Sequence, residues 1–448
     1  SCIQFPDEIA VIVADHPLPP APCQSVSEPF VILFSEYHCI MTFRLIIGRI
    51  AIKKGTIPVI LPNQCLKVFI FYYGICQPAG CLPNGVKAVP HIKRTAGKGR
   101  AATSIAVPDQ FKKCSRPFYI GYLCIFQQDF LDYLKDFKFT GDIYAIPEGS
   151  IMFPREPMIK VIAPIMQAQL VETAILNIIN HQSLIATKTS RVCFAARGDG
   201  IMEFGLRRAQ GPDAGTYGAR AAMIGGCVGT SNVLAGQLFD VPVSGTHAHS
   251  WIMSFPDEYT AFKAYADIYP NACLLLVDTY DTLKSGVPNA IRVFQEMKEA
   301  GIPLTKYGIR LDSGDLAYLS KKARKMLDEA GFPDAIISAS NDLDEHLIEN
   351  LKIQGATITS WGVGTSLITS KDCPAFGGVY KLAAIQTEDG SFIPKIKLSE
   401  NTEKITNPGN KTFYRIYEKE TGKIKADLIC LADETFDPKE DLLLFDPN

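Results

Sequence analysis

The pattern of apolar and polar positions becomes legible at about residue 129. In residues 129–137 the apolar side chains Phe130, Leu131, Leu134 and Phe137 fall at helical spacing and predict a short helix. Residues 144–161 break short apolar runs with Gly149, Pro154 and Pro157, which predicts paired strands joined by turns. Residues 167–184 follow Pro164 and run apolar-rich, predicting a long helix that ends near Lys188. After residue 240 a rhythm sets in. A strand over 241–244 is followed by a strand over 273–279 and a helix over 289–300. A strand over 307–311 precedes a helix over 316–330 closed by Gly331, and a strand over 336–339 precedes a helix over 344–353 closed by Gly355. A last strand over 357–361 runs into a glycine loop. These strands are continuous apolar runs, as parallel strands covered on both faces are, so the alternation predicts β/α architecture. Beyond about Lys381 the helices stop, and short charged strands with turns at Gly409-Asn410 and Thr421-Gly422 predict a β-rich segment.

Residues 1–128 read differently. Short apolar runs at 31–34 and 66–73 sit between proline clusters such as Pro17, Pro19, Pro20 and Pro22, and predict no more than strands broken by turns. The charge divides at the same place: 13 Lys+Arg against 6 Asp+Glu before residue 129, and 32 against 41 after it. Eight of the 13 cysteines also lie in the first 128 residues, with no C-x-x-C spacing among them.

Composition bounds the class. A chain of 448 residues, 47% hydrophobic and 21% charged, has the make-up of a globular protein with two or three domains. A net charge of −2 argues against a dedicated nucleic-acid or membrane-surface binder. The basic stretch 93–100 lacks an aromatic residue for base stacking. The best membrane candidate, residues 30–52, carries Glu36, His38, Arg44 and Arg49 and is too polar to span. Thirteen cysteines are too few for a disulfide scaffold of this length, and no secretory signal opens the chain, so the expected location is cytoplasmic.

In β/α barrels the chemistry lies at the C-terminal strand ends. Here those ends read Asp278-Thr-Tyr-Asp281, Arg310-Leu-Asp312-Ser-Gly-Asp315, Ser340-Asn-Asp342 and Gly362-Val-Gly364-Thr365, each polar, small or acidic. Gly364 and Thr365 have the chemistry of a phosphate loop, although a plain tight turn reads the same way. Asp312 and Asp315, separated by Gly314, can accept from ribose hydroxyls or hold Mg²⁺, or one of them can simply cap a helix. Arg310 can grip a carboxylate bidentately. Thr246-His247-Ala248-His249 could supply a metal ligand, a proton carrier or a nucleophile. The metal-dependent hydrolases that use H-x-H need further histidines on later strands, and only His346 follows, within a predicted helix. Arg207 and Arg208 become polyphosphate ligands if they stand beside a phosphate loop, and Phe204 is core by default or a stacking face.

Together these segments resemble the nicotinate phosphoribosyltransferase family, a type II phosphoribosyltransferase group. The matching stretches include FTGDIYAIPEG within 129–164, residues 169–191, EFGLRRAQGPDAGTYGARAAMIGGCVGTSNVLAG over 203–236, VSGTHAHSW over 243–251, 308–315 and 360–365. The resemblance covers residues 129–448. It implies an irregular TIM-like α/β barrel over 166–380, an N-terminal α/β domain over 1–165, and a β-rich C-terminal segment over 381–448 packed on that domain. It implies the conversion of nicotinate and 5-phosphoribosyl 1-diphosphate to nicotinate mononucleotide and pyrophosphate in NAD biosynthesis, with Mg²⁺ and with ATP as co-substrate, in a homodimer with shared sites. By the same resemblance His249 is the phosphorylated residue and Thr246, Arg310 and Phe204 contact nicotinate. Arg207 and Arg208 hold the diphosphate, Asp312, Gly314 and Asp315 hold ribose and Mg²⁺, and Gly364 and Thr365 cradle the 5-phosphate. The family's N-terminal Thr-Asp-x-Tyr-type motif has only Ser35-Glu36-Tyr37 as a faint echo. A nicotinamide-specific transferase, a metal-dependent barrel hydrolase using His247 and His249, and a non-catalytic nucleotide binder are the rival readings.

Overall fold

The computed structural model describes residues 9–15, 30–32, 126–398, 400, 405 and 407–435. Ser35-Glu36-Tyr37 and the basic stretch 93–100 lie outside them. Among the described residues the first elements are β1 (Ile9–Asp15), β2 (Phe30–Ile32), helix α1 (Gln128–Lys135), β3 (Asp142–Ala145), β4 (Ser150–Met152) and β5 (Ile159–Pro164). Pro164 then starts α2 (Ile165–Ala195), a helix of 31 residues. It runs roughly 46 Å at 1.5 Å per residue, with no glycine or proline inside to break it. The helix was expected to stop near Lys188. It continues because the Lys188 ammonium is neutralised in the interior, donating to Glu345 Oε1 at 2.9 Å and to Asp372 Oδ1 at 2.5 Å.

The β/α part follows: β6 (Gly200–Glu203), α3 (Pro212–Ile224), β7 (Gly229–Thr230), α4 (Val233–Phe239), α5 (His249–Met253), α6 (Glu258–Ile268), β8 (Cys273–Leu276), α7 (Val287–Glu299), β9 (Tyr307–Leu311), α8 (Leu316–Glu329), β10 (Ile336–Ala339), α9 (Glu345–Ile353), β11 (Ser360–Val363) and the single turn α10 (Thr365–Ile368). Six strands form one parallel sheet in the order β7-β6-β11-β10-β9-β8. The first unit, β6, lies beside the last, β11, as a sheet curling towards a barrel requires. The expected strand over 241–244 is reduced to one bridge between Val243 and Thr230. The expected strand over 357–361 is shifted, so that Gly362 and Val363 are strand rather than loop.

The last elements among the described residues are β12 (Val379–Gln386), β13 (Phe392–Pro394) and the hairpin β14 (Lys411–Tyr417) and β15 (Ile424–Leu431). The first two join β1, β5 and β3 in an antiparallel sheet ordered β13-β12-β1-β5-β3. The two sheets have separate apolar cores, and α2 serves both. Leu170, Val171, Ile175 and Ile179 belong to the antiparallel-sheet core, while Ile185, Ala186 and Val192 belong to the larger β/α core with Trp361, Phe262 and Phe294. No helix of the described residues is long and apolar enough to cross a membrane.

Candidate active site

The C-terminal ends of the parallel strands surround a cavity of about 380 Å³. Phe204, Arg207 and Arg208 reach it from the turn after β6, and Ser231 from the end of β7. Gly245 and Thr246 precede α5, Arg310 and Asp312 come from β9 and its end, Ser340, Asn341 and Asp342 follow β10, and Gly362, Gly364 and Thr365 come from β11 and its exit. The sequence puts small or polar residues there because each strand must stop being core where it meets the opening.

Arg310 is the most constrained charge in the cavity. Its Nε donates to Ser340 Oγ at 2.7 Å, one terminal nitrogen to Thr246 Oγ1 at 2.6 Å and the other to Asp312 Oδ1 at 3.0 Å. Ser340 Oγ in turn donates to the same Asp312 oxygen. A guanidinium has five N–H donors, so two remain for a ligand. The Phe204 ring lies with its centroid 5.8 Å from that guanidinium. It reaches this place because position 362 has no side chain: a Cβ there would stand 2.5 Å from the ring.

A second network lies one shell away. His249, the first residue of α5, has its Nε2 3.2 Å from Asp278 Oδ1. The other Asp278 oxygen accepts from the Asp312 N–H at 2.9 Å and from Ser313 Oγ at 2.6 Å. The Asp278 side chain is 1% exposed and that of His249 is 39% exposed. One buried carboxylate therefore joins the accessible histidine to the segment that fixes Arg310.

His247 is turned the other way. Its Nε2 accepts from the Leu276 N–H at 3.3 Å, and its ring packs edge-on against Tyr265. Burial depresses its pKa to about 4 and keeps the imidazole neutral. The two histidines thus have unlike surroundings, and a shared metal would require both to face one point. Among the described residues no cluster of three or more His, Cys, Asp or Glu side chains is arranged to hold a metal ion.

Of the residues singled out in the sequence, Phe204, Arg207, Arg208, Thr246, Arg310, Asp312, Gly364 and Thr365 come together around the cavity. His249 stands behind it through Asp278. Gly314 and Asp315 are not in the lining: Gly314 forms a turn at φ +79°, and Asp315 caps α8 by accepting the Tyr318 N–H at 3.0 Å. Sequence reasoning had noted the 278–281 and 340–342 strand ends without giving them roles. It had no sign of Ser231 or of Gly362 as a stacking seat. Asn341 carries φ +121° without being glycine, a strain of the sort found at functional sites.

A parallel β/α sheet with an arginine-rich, partly aromatic cavity at its strand ends has the architecture of a β/α-barrel enzyme, with its open site at the carboxyl ends of the strands. Three family descriptions match along the chain: the nicotinate phosphoribosyltransferase N-terminal domain over residues 116–180, the nicotinate phosphoribosyltransferase family over 200–404, and the nicotinate phosphoribosyltransferase C-terminal domain over 410–448. The chain belongs to the nicotinate phosphoribosyltransferase family. The first match begins at 116, ahead of the expected start at 129. The nicotinate phosphoribosyltransferase of Bacillus subtilis is 55% identical over 322 residues, which is 72% of this chain and 65% of that protein. The human one is 34% identical over 346 residues, covering 65% of this chain and 63% of that protein. The matched part thus spans a little under two thirds of these relatives. The crystal structure of human nicotinic acid phosphoribosyltransferase superposes with a TM-score of 0.65 at 25% identity, covering 96% of this chain and 79% of that one. A nicotinate-nucleotide pyrophosphorylase from Pyrococcus furiosus shares the fold at a TM-score of 0.53 and 24% identity, covering 66% of this chain and 70% of that one.

Proposed function

We propose that the chain transfers the phosphoribosyl group of 5-phosphoribosyl 1-diphosphate to nicotinate, giving nicotinate mononucleotide and pyrophosphate for NAD biosynthesis, with ATP as co-substrate. The observation that carries this reading is the tethered Arg310 guanidinium beside the Phe204 ring. Nicotinate is a flat aromatic ring with one carboxylate. Phe204 offers a face for the ring, and the two remaining Arg310 donors suit the carboxylate.

The bond that forms joins the pyridine nitrogen to C1 of the ribose, and the bond that breaks releases pyrophosphate. Negative charge gathers on the leaving group, where Arg207 and Arg208 are exposed on the cavity wall to meet it. The Gly364 and Thr365 backbone and the threonine hydroxyl serve the 5-phosphate. Asp312 and Asp342 are the carboxylates lining the cavity, a donor set that suits Mg²⁺ because that ion takes one or two carboxylates and completes its shell with phosphate oxygens and water. The ion would offset the charge of the diphosphate. No group in the cavity is needed as a strong acid or base, so the protein's work is chiefly positioning.

His249 is assigned the phosphoryl acceptor from ATP. Its Nε2 is engaged by Asp278, which leaves Nδ1 as the nucleophile. The phosphoryl charge arising there acts on the Arg310 network through Asp278 and Asp312. We assign residues 1–165 with the β-rich 381–448 to one unit and 166–380 to the β/α unit, since β12 and β13 pair into the sheet of β5. The free thiols of Cys193, Cys227, Cys273, Cys373 and Cys430 fit a cytoplasmic location. A homodimer is the fitting assembly: Val233, Leu234 and Leu238 leave an apolar face exposed on α4, next to Ser231 of the cavity.

The test is pyrophosphate release from 5-phosphoribosyl 1-diphosphate with nicotinate or nicotinamide, with and without ATP. Nicotinate should be the preferred base and ATP should stimulate. A preference for the neutral amide overturns the Arg310 assignment.

A further inference from the structure

Glu203 is a buried acid that the proposed reaction does not use. It ends β6, its side chain has 0% exposure, and it stands directly before Phe204. Among the described residues no cation pairs with it, and burial pushes its carboxyl up from the usual range. A carboxyl buried without a cation is costly unless its hydrogen bonds are well made. Both oxygens are in fact occupied. Oε1 accepts the Gly205 N–H, and Oε2 accepts the Thr230 hydroxyl at 2.6 Å. Its backbone oxygen accepts the Ser231 N–H at 3.1 Å. Thr230 Oγ1 then accepts the Asn232 N–H at 3.0 Å, and Asn232 Oδ1 accepts the Ala235 N–H at 3.1 Å at the start of α4.

The consequence is geometric. Gly205 follows Phe204, and its N–H is pulled under the strand end by Glu203. The approach is so close that a Cβ at position 205 would lie 2.9 Å from Glu203 Oε1 and 2.4 Å from Ile368 Cβ. Phe204 is held on its N-terminal side as well, its N–H donating to Val363 O at 2.8 Å. One side chain therefore fixes the turn that carries the ring and, through Thr230, the segment that carries Ser231.

We propose that Glu203 is a positioning residue for the aromatic-base subsite, acting through Phe204 and the Thr230–Asn232 segment without touching substrate. This rests on the reading of the cavity as a nicotinate site. Glutamine can keep the arrangement: its Oε1 accepts the Gly205 N–H, and its Nε2 donates to Thr230 Oγ1, a hydroxyl able to accept twice. Alanine cannot.

Steady-state kinetics on the full chain tests this. Glu203→Ala should raise the KM for nicotinate about tenfold or more while the KM for 5-phosphoribosyl 1-diphosphate stays within about threefold. Glu203→Gln should restore the nicotinate KM to within about threefold of the parent. Thr230→Val, which keeps the shape and deletes the donor, should raise the nicotinate KM in the same direction, and it decides the matter if Glu203→Ala does not fold. An unchanged nicotinate KM in folded Glu203→Ala, or in Thr230→Val, overturns the proposal. So does a Glu203→Gln protein as impaired as Glu203→Ala, because charge would then matter and position would not. A parent protein that does not turn over nicotinate overturns the functional reading instead, which keeps the two failures apart.

Discussion

Arg310 and His249 carry opposite kinds of information. Arg310 is held by Thr246 from the segment before α5, by Ser340 after β10 and by Asp312 at the end of its own strand, so its direction is set before any ligand arrives. Arg310→Ala should remove two charge-assisted bonds to a carboxylate, about 2–3 kcal/mol, or roughly 30- to 150-fold in nicotinate affinity. Direct calorimetric titration with nicotinate reads this, and an unchanged affinity refutes the assignment. His249→Ala should abolish ATP stimulation and leave the ATP-independent rate. Asp278→Asn should weaken stimulation without abolishing the basal rate, since the amide no longer fixes the proton on Nε2. Rate measurements with and without ATP distinguish the two, and full stimulation in His249→Ala removes that histidine from the mechanism. Arg310 was legible in the sequence as a charge at a strand end. Its three tethers were not, because they come from residues 64 and 30 positions away as well as from the nearby Asp312.

At the scale of elements, periodicity and capping residues located β9, β10 and the helices after them. These segments alternate cleanly, and Asp315 and Asp344 cap α8 and α9 by accepting the Tyr318 and Leu347 N–H groups. β11 was misplaced because Gly362 reads as a breaker; the Phe204 ring occupies the space of its missing side chain. Gly362→Ala should therefore displace the ring and reduce nicotinate binding severalfold or more, measured by the same titration. The β14–β15 hairpin makes a different kind of attachment. Arg415 bonds Asp427 at 2.8 and 3.1 Å and Glu156 at 3.2 Å, across 259 residues. Burial, followed by the hydrogen bond shared with Asp427, pushes Glu156 up to about 8. A carboxyl raised on folding binds its proton in the folded state where the unfolded chain has lost it. Its contribution is therefore whole below the unfolded value near 4.5 and disappears as pH rises through about 8. Amide exchange in residues 411–431 should be faster at pH 9 than at pH 6.5 after correction for intrinsic rates. Equal protection at both values contradicts the protonated pairing.

In the whole molecule, α2 joins two cores, and the buried Lys188 pinned by Glu345 and Asp372 fixes the helix to the β/α unit. The exposed apolar face of α4 belongs to this scale too. If a second copy covers it, Leu234→Asp should shift the sedimentation coefficient from dimer to monomer and lower activity, because the face adjoins Ser231. An unshifted coefficient moves the interface elsewhere.

The sequence by itself determined the β/α rhythm, the strand-end chemistry and the family resemblance, because local periodicity, caps and contiguous motifs are written in neighbouring residues. It determined most of the cavity lining for the same reason: residues ending parallel strands converge on one opening. The tertiary structure alone decided which histidine faces solvent, that Asp315 caps α8, and that Lys188 lies inside a helix. It alone assigned Glu203 and Asp278 their partners. Those outcomes depend on which distant groups satisfy a buried charge or hydrogen bond, and such pairings leave no period or spacing in the chain.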